Sequence, residues 1–352
     1  MKKHWLKIIM GVCLATTLPQ FASAQLLPVN TTQSLSILLT PAYPKVNQTV
    51  TARLESSAVD LSQAEIAWYL NGTLRNKGQG EKALRFRTGR LGEKTEIAVT
   101  ILPNFGASLQ KTLTVRPAEV DLHYEAESYT PPFYRGKALY SFQGRVRVVA
   151  LPSFVDANGE RVPNGDLNFS WSQNGNPLPR ESGVGKNVFI VEDKGGLIRP
   201  AFVSVEVSTL SKDLIASAEI ALAPGAPSVI IYENHPLLGI LWNRALSENF
   251  TLSEKEVRLV AVPYFFSASG QSDRALSFSW QMNGETLSGE RTNNVVFRNE
   301  EGVEGEALVG VEVGNAKSIY QSAVASSRIF FKAVTSDFLA DPDNTEAFPS
   351  IR

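Results

Sequence analysis

Two histidines, His123 and His235, are the side chains of this sequence best suited to acid–base chemistry near neutral pH. Catalysis by a Ser–His–Asp arrangement needs the imidazole within hydrogen-bond reach of a nucleophile. The two histidines lie far apart, near the starts of different sequence repeats and at positions that do not correspond. A catalytic pair would require the repeats to fold back on each other, so we expect strand-edge or linker histidines. The sequence therefore predicts no catalytic residues and a protein that is not an enzyme.

Two loops partly match ligand-binding motifs. Gly183–Asn187 is similar to a phosphate-binding loop, but the pattern G-x-x-x-x-G-K-[ST] fails at Arg180 and Asn187 and no helical pattern follows. In Asp156–Glu160 the glycine comes one place too early for an EF-hand loop, and the remaining calcium ligands are missing. Asn-Gly between strands is typical of a hairpin turn. We therefore expect two turns, with no cofactor and no metal.

Composition excludes several further classes. One Cys and three His in the whole sequence rule out a multi-thiol metal site and a disulfide framework. A net charge of −1 gives no electrostatic reason to expect nucleic acid as a partner. With 43% hydrophobic and 20% charged residues, the chain has the composition of an ordinary globular protein.

Residues 1–24 have the pattern of a secretory signal peptide. Lys2 and Lys3 give a basic start, Ile8–Leu18 is mostly apolar, and Ala22–Ala24 matches the A-x-A cleavage pattern. The only cysteine, Cys13, follows a valine rather than the small residue of a lipoprotein signal. We expect export by the Sec route to the periplasm, cell surface or extracellular space. No later stretch is long enough for a membrane span, so we expect no transmembrane segment in the mature chain.

The elements that must carry these residues follow from a repeat. The pattern W-x-x-N-G begins at Trp68, Trp171 and Trp280, at intervals of roughly 100 residues, which is the size of one β-sandwich. Apolar residues alternate before and after each Trp, which places them on one face of a strand. The alternating positions are Val50/Ala52/Leu54, Val146/Val148/Ala150 and Val257/Leu259/Ala261 before the Trp, and Ile97/Val99/Ile101, Val203/Val205/Val207 and Val309/Val311/Val313 after it.

Sheets that bury one face must pack on each other in pairs, so the sequence predicts an all-β fold of tandem antiparallel β-sandwich modules. The repeat is interrupted at Arg116-Pro117 and at the Pro-rich stretch 223–227. The predicted divisions are a signal peptide at 1–24, modules at 33–117, 118–224 and 225–335, and an acidic flexible tail at 336–352.

A Trp followed by an Asn-Gly turn resembles strand C of immunoglobulin-like domains. The stretch Thr40–Pro44 before Val50 is similar to the first strand of bacterial immunoglobulin-like and polycystic-kidney-disease-type (PKD) surface modules. The Cys pair of antibody domains and the Asp-rich PKD signature are absent. The resemblance therefore implies three tandem immunoglobulin-like β-sandwiches of an exported surface protein, without a narrower family.

The three repeated tryptophans have two interpretations. Exposed aromatic side chains can stack on sugars, whereas a strand-C Trp in an immunoglobulin-like sandwich is buried. The fixed place of Trp68, Trp171 and Trp280 within the repeat favours the core of each module.

The second and third modules share an additional segment that the first lacks. Residues 124–150 contain Phe133 and Tyr134, and residues 232–261 contain Trp242. A turn between the first two strands needs only a few residues, so the aromatic residues are expected to pack against something. Three alternatives stay open: the segment covers a sheet edge of its own module, it wedges against the preceding module, or it binds a partner.

These features favour a non-catalytic exported surface or envelope protein, acting as a multi-module spacer, adhesion or assembly component through contacts with other envelope or surface proteins. The alternative is a carbohydrate-binding or hydrolase-accessory protein. A coplanar row of exposed aromatic rings would favour carbohydrate, and scattered loop aromatics would favour protein contacts.

Overall fold

The chain is built almost entirely from β-strands. A computed structural model describes residues 35–57, 59–192, 199–252, 255–289, 292–299 and 304–332. Within these ranges the helical structure is a single 3-10 turn, Asn164–Asp166. The predicted signal peptide at 1–24 and the predicted tail at 336–352 lie outside the described residues. None of the described residues form a helix long and apolar enough to cross a membrane.

The first sandwich contains seven strands. They are β1 (Leu35–Thr40), β2 (Thr49–Ser56), β3 (Glu65–Leu70), β4 (Thr73–Gln79), β5 (Ala83–Arg87), β6 (Thr95–Leu102) and β7 (Leu109–Val115). One sheet has the order β1-β2-β5 and the facing sheet the order β4-β3-β6-β7. All of these pairs are antiparallel. The strand order is that of an immunoglobulin-like Greek key.

The second sandwich repeats this order. Its strands are β8 (Glu119–Ala126), β9 (Arg145–Ser153), β10 (Leu167–Gln173), β11 (Asn176–Pro177), β12 (Gly183–Val184), β13 (Val188–Glu192), β14 (Ala201–Thr209) and β15 (Ile215–Leu222). The sheets are β13-β9-β8 and β11-β10-β14-β15, and β12 also pairs with β10.

The third sandwich carries two additional strands. Its strands are β16 (Ser228–His235), β17 (Gly239–Ala245), β18 (Asn249–Leu252), β19 (Glu256–Tyr264), β20 (Leu276–Met282), β21 (Glu285–Thr286), β22 (Asn294–Arg298), β23 (Gly305–Asn315) and β24 (Ser322–Phe331). The sheets are β17-β16-β19-β22 and β18-β24-β23-β20-β21. β18 pairs with β24 in parallel, and the other strand pairs of these two sheets are antiparallel, as predicted.

Each sandwich encloses its own hydrophobic cluster, and alternation in sequence explains it. Along β6 the inward side chains Ile97, Val99 and Ile101 are fully buried, and the intervening residues face outward. Burying each such side chain stabilises the fold by about 1.5–3 kcal/mol. The described residues thus form an all-β chain of tandem immunoglobulin-like sandwiches.

The direction of the first strand decides which end of a sandwich meets its neighbour. In the first sandwich Val46, after β1, donates to Glu119 Oε1 at the start of the second, and in the second Tyr129, after β8, donates to Phe266 O of the third. The connection after the first strand therefore lies at the pole where the chain leaves the sandwich. In the first sandwich this connection is residues 41–48, and in the second it is residues 127–144, which we call the junction segment.

Candidate functional site

The repeated tryptophans are core residues. Trp68, Trp171 and Trp280 are at most 1% exposed. Each indole N–H donates to a backbone carbonyl just before the edge strand of the facing sheet, which satisfies the one polar atom of a buried indole. The acceptors are Glu81 O at 2.7 Å, Lys186 O at 2.8 Å and Thr292 O at 2.9 Å, respectively.

The Asn-Gly of the same motif forms a tight turn with a second function. Asn71, Asn174 and Asn283 have φ of 50–51°, and the glycine after each also has a positive φ, as a type I′ turn requires. Each Asn side-chain oxygen accepts a hydrogen bond from a backbone N–H on the neighbouring long strand. The donors are Glu96 N at 2.8 Å, Phe202 N at 2.9 Å and Leu308 N at 2.8 Å. The whole motif therefore fixes strand register and indole burial, and its polar atoms are used within the fold.

The histidines are not brought into a common site. His123 is exposed on β8 of the second sandwich. His235 ends β16 of the third, where its Nδ1 accepts hydrogen bonds from Leu237 N and Leu238 N, both at 3.2 Å. His235 thus holds the conformation of a hairpin turn.

The two motif-like loops are turns. The Asp156 carboxylate accepts hydrogen bonds from Glu160 N at 2.9 Å and Asn158 N at 2.8 Å, and the bond from Glu160 is the main cause that lowers its pKa. In the loop Gly183–Asn187, β12 pairs with β10, and the Lys186 carbonyl accepts the hydrogen bond from the Trp171 indole N–H. Among the described residues, no three His, Cys, Asp or Glu side chains are grouped as metal ligands would be.

The densest polar contact between sandwiches lies where the junction segment meets the third sandwich. Tyr129 exchanges two backbone hydrogen bonds with it, donating from its N to Phe266 O at 2.8 Å and accepting from Phe265 N at 2.7 Å. The buried Ser141 hydroxyl donates to Phe265 O. The segment therefore joins the third sandwich through main-chain pairing, which is insensitive to side-chain identity.

Gln321 is the centre of this contact and is completely buried. Its Nε2 donates to Phe142 O at 2.7 Å across the junction and to Ser267 Oγ at 2.8 Å. Its Oε1 accepts from Ser267 N at 2.8 Å and Asn315 Nδ2 at 2.9 Å. Every donor and acceptor of the amide is used, so the buried polar group stabilises one relative position of the two sandwiches.

The linker between the sandwiches is also paired. Gly225 N donates to Tyr140 O at 2.8 Å, Phe142 N donates to Gly225 O at 3.1 Å, and Ser141 and Gly225 form a parallel bridge. The Pro-rich stretch 223–227 is therefore held along the junction segment.

Aromatic rings cover the same junction. Phe133 packs edge-on against Trp242 at 6.3 Å, and Tyr134 lies 5.4 Å from Phe265 and 6.1 Å from Tyr264, measured between ring centroids. Phe133 is 81% exposed and Tyr134 is 38% exposed, whereas Trp242 is half-buried. Phe133 also has a φ of 67°, a strained value for a bulky residue. Tyr134 and Trp242 thus pack at the junction, whereas most of the Phe133 side chain is in solvent.

Burial shapes the electrostatics of this cluster. Tyr264 is 9% exposed and its hydroxyl is 2.7 Å from that of Tyr232. Burial first, and then the hydrogen bond with Tyr232, raise the pKa of Tyr264. Burial likewise raises the pKa of Tyr129. The phenols of Tyr129 and Tyr264 are therefore neutral over the physiological range.

The structure corrects the expected direction of the wedge. The segment of the second sandwich packs against the following sandwich, not the preceding one, because the connection after the first strand lies at the pole where the chain leaves. The corresponding segment of the third sandwich instead extends its own sheets, since β17 pairs with β16 and β18 with β24. Phe133, Tyr134 and Trp242 do come together, at the junction of the second and third sandwiches.

Sequence reasoning missed Tyr129, Ser141 and Gln321. No local pattern marks them, because each acts on a residue far away in the sequence. The length of the connection after the first strand of the second sandwich, in contrast, was already apparent from the sequence.

Comparison with known proteins gives no family. No protein-family model matches the chain, and no curated protein matches it. Three domains of the bacteriophage RB49 Highly Immunogenic Outer Capsid protein are 14% identical, with 86% of this chain and 100% of that chain covered and a TM-score of 0.26.

Two fibronectin-III arrays are similar at the same level. The central array of RIM-binding protein is 12% identical, with 85% of this chain and 96% of that chain covered and a TM-score of 0.29. The fibronectin(III)-like modules of Clostridium thermocellum CbhA are 10% identical, with 60% and 94% covered and a TM-score of 0.21. Strand order, register and the repeated core therefore carry the assignment: the described chain is an all-β array of tandem immunoglobulin-like sandwiches.

Proposed function

We propose that this chain is a non-catalytic, exported cell-surface or envelope protein whose modules act as a spacer and present surfaces for adhesion or assembly. The modules are residues 33–117, 118–224 and 225–335, preceded by a signal peptide at 1–24 and followed by a flexible tail at 336–352. Its partners are other envelope or surface proteins.

One observation carries this proposal: the saturated hydrogen-bond network of Gln321 between the second and third sandwiches. A buried amide with four partners disfavours other relative positions, because moving the sandwiches apart leaves polar groups without partners. A fixed angle between sandwiches serves a protein that presents surfaces at set positions.

The aromatic geometry favours protein contacts over the carbohydrate-binding alternative. The planes of Phe133 and Trp242 are inclined by 63°, and those of Tyr232 and Trp242 by 59°. Stacking on a sugar chain uses a flat, coplanar row of rings. Inclined rings in a junction instead resemble interface packing.

Distances between spin labels test the fixed angle. In a Cys13→Ser background, Glu219→Cys and Ser326→Cys place labels on exposed positions of the second and third sandwiches. We expect a narrow distance distribution that broadens in Gln321→Ala. Lys111→Cys paired with Glu219→Cys provides the same measurement across the first junction. A broad distribution across the second junction in the labelled protein with Gln321 intact would overturn the spacer role.

Export is tested separately. Residues 1–24 fused to a β-lactamase that lacks its own signal should give ampicillin resistance in a bacterial host, and Ala22→Lys with Ala24→Lys should abolish it through loss of the small-residue site. Resistance that is absent in the unsubstituted fusion would contradict export while leaving the spacer role intact.

A further inference from the structure

Each sandwich has one edge strand at the same place in its smaller sheet: β5, β13 and β22. The backbone hydrogen bonds of the three strands alternate in the same way. In each sandwich, the carbonyl of the residue just before the edge strand accepts a hydrogen bond from a backbone N–H of the adjacent strand. These bonds are Leu54 N to Lys82 O at 2.8 Å, Ala150 N to Asn187 O at 2.8 Å, and Ala261 N to Asn293 O at 2.7 Å.

In an antiparallel ladder the backbone groups of alternate residues point to the same side. The first, third and fifth residues of β5, β13 and β22 therefore present their N–H and C=O away from the sheet. On β13 the backbone groups of Val188 and Ile190 are available to another strand, whereas on β22 Asn294 N and O already bond with Thr292 Oγ1.

The side chains at these positions differ among the three sandwiches. On β5 the third and fifth positions are Arg85 and Arg87, and charge is a usual protection of a sheet edge. On β22 the fifth is Arg298, which contacts Glu256 at 2.7 Å. On β13 the first and third are Val188 and Ile190, which are 41% and 37% exposed. β13 is thus the edge with two neighbouring apolar side chains in solvent.

β13 also borders an open cleft of about 600 Å³ between the two sheets. The cleft is lined on one side by Val188, Phe189 and Ile190 and on the other by Leu178 and Glu181. The described part of the second sandwich therefore leaves the space next to this edge open.

We propose that two copies of this chain associate by antiparallel pairing of β13 with β13 of the second copy, about a two-fold axis at Phe189. Within Lys186–Glu192, K-N-V-F-I-V-E, the central V-F-I is nearly symmetric about Phe189. Val188 then lies opposite Ile190 of the second copy. A two-fold contact of this kind is closed and stops at a dimer.

The direction in which the backbone N–H and C=O groups of β13 point agrees with this pairing register. Val188 and Ile190 carry the outward N–H and C=O groups, so they form the hydrogen-bonded pairs on either side of the axis. Phe189 remains directed into the core, where it is 5% exposed. The pairing therefore needs no change within the sandwich.

Charge favours the same register. Glu192 of one copy then lies near the turn of the other that carries Lys186. In the folded chain Lys186 Nζ donates to Arg180 O, and Glu192 contacts Arg145 at 2.8 Å. The edge of the first sandwich would bring Arg85 and Arg87 close to the same residues of a second copy. Like charges there oppose pairing through β5. The proposal does not depend on export or on the spacer role.

Sedimentation velocity of the full chain over a concentration series tests the proposal. We expect a concentration-dependent dimer, and Ile190→Lys should leave a monomer because it places a charge on the paired edge. Val296→Lys is the matched control, at the same third position of β22, and should still dimerise. Unchanged circular dichroism would verify that both variants fold.

Cross-linking gives the register. In a Cys13→Ser background, Ile190→Cys should form covalent dimers with a bis-maleimide that spans about 8 Å, the distance between diagonal neighbours of paired strands. Val296→Cys should not. A chain that stays monomeric at every concentration, a dimer that persists in Ile190→Lys, or cross-linking of Ile190→Cys only when another protein is added would each overturn the proposal.

Discussion

The two junctions of this molecule use the same topological position to different extents. At the first junction, residues 41–48 contribute Val46 N, which donates to Glu119 Oε1 at 3.0 Å, and the Tyr43 hydroxyl, which donates to Glu206 Oε2 at 2.6 Å. At the second, residues 127–144 contribute main-chain pairing, a buried serine and a set of aromatic rings.

The difference shows that the length of the connection after the first strand sets how extensively one sandwich contacts the next. Both connections follow the first strand and lie at the pole where the chain leaves. The short one reaches its neighbour with one part-buried backbone hydrogen bond and one exposed side-chain hydrogen bond. The long one crosses the gap and excludes water, so its hydrogen bonds are worth more. We therefore expect the second junction to be the stiffer of the two.

Gln321→Ala should have the largest effect, because it acts on the buried centre of the second junction. It leaves Phe142 O and Ser267 N without their partner, at about 1–3 kcal/mol for each buried group. Calorimetry should show the second and third sandwiches unfolding in separate steps. Gln143→Ala is the control, since Gln143 Oε1 accepts one hydrogen bond from Tyr320 N at a more exposed position. Equal losses of stability in the two variants would mean that burial does not make the hydrogen bonds of Gln321 stronger than the more exposed one of Gln143.

Gly92→Ala tests the first junction. Gly92 has a φ of 72°, and a Cβ there would lie 2.8 Å from Val155 Cβ of the second sandwich. The left-handed conformation alone costs about 1–2 kcal/mol, and the contact adds to it. Gly72→Ala is the matched control, with a φ of 77° and no atom within 4 Å. Urea denaturation should show a larger loss for Gly92→Ala, and identical losses would mean that the sandwiches do not press on each other there.

Alkaline pH should weaken the second junction through Tyr264. Its pKa is raised, so the folded protein favours the neutral phenol. The associated stability is present below the ordinary pKa of 10.0 and is lost as pH rises through the folded value. The free energy of unfolding should fall above about pH 10. Tyr264→Phe should flatten this pH dependence. If both proteins show the same profile, a group other than Tyr264 causes it.

Tyr43→Phe should have the smallest effect. The hydrogen bond to Glu206 is the main cause that raises the pKa of Tyr43, but the bond lies at an exposed position. We expect a loss below about 1 kcal/mol and little change in the distance between the first two sandwiches. A loss as large as that of Gln321→Ala would remove the contrast between the junctions.

The fold class followed from local pattern. Alternation along β2 and β9 specifies which side chains are buried, because successive residues of a strand face opposite sides. Along β19 both faces are buried from Leu259 to Tyr264, because Val260, Val262 and Tyr264 belong to a second cluster at the junction. The W-x-x-N-G repeat also predicted core positions, and the structure adds the reason for the Asn, whose oxygen binds the neighbouring strand.

Sequence by itself thus determined the sandwiches, since periodicity and turn residues act within a few positions of each other. Only the tertiary structure decided the junctions. Tyr129, Ser141 and Gln321 act on residues of another sandwich, and their partners are backbone atoms that every residue type carries. A backbone hydrogen-bond partner cannot be recognised from the identity of its residue. These contacts therefore form only once the topology has brought the ends of two sandwiches together.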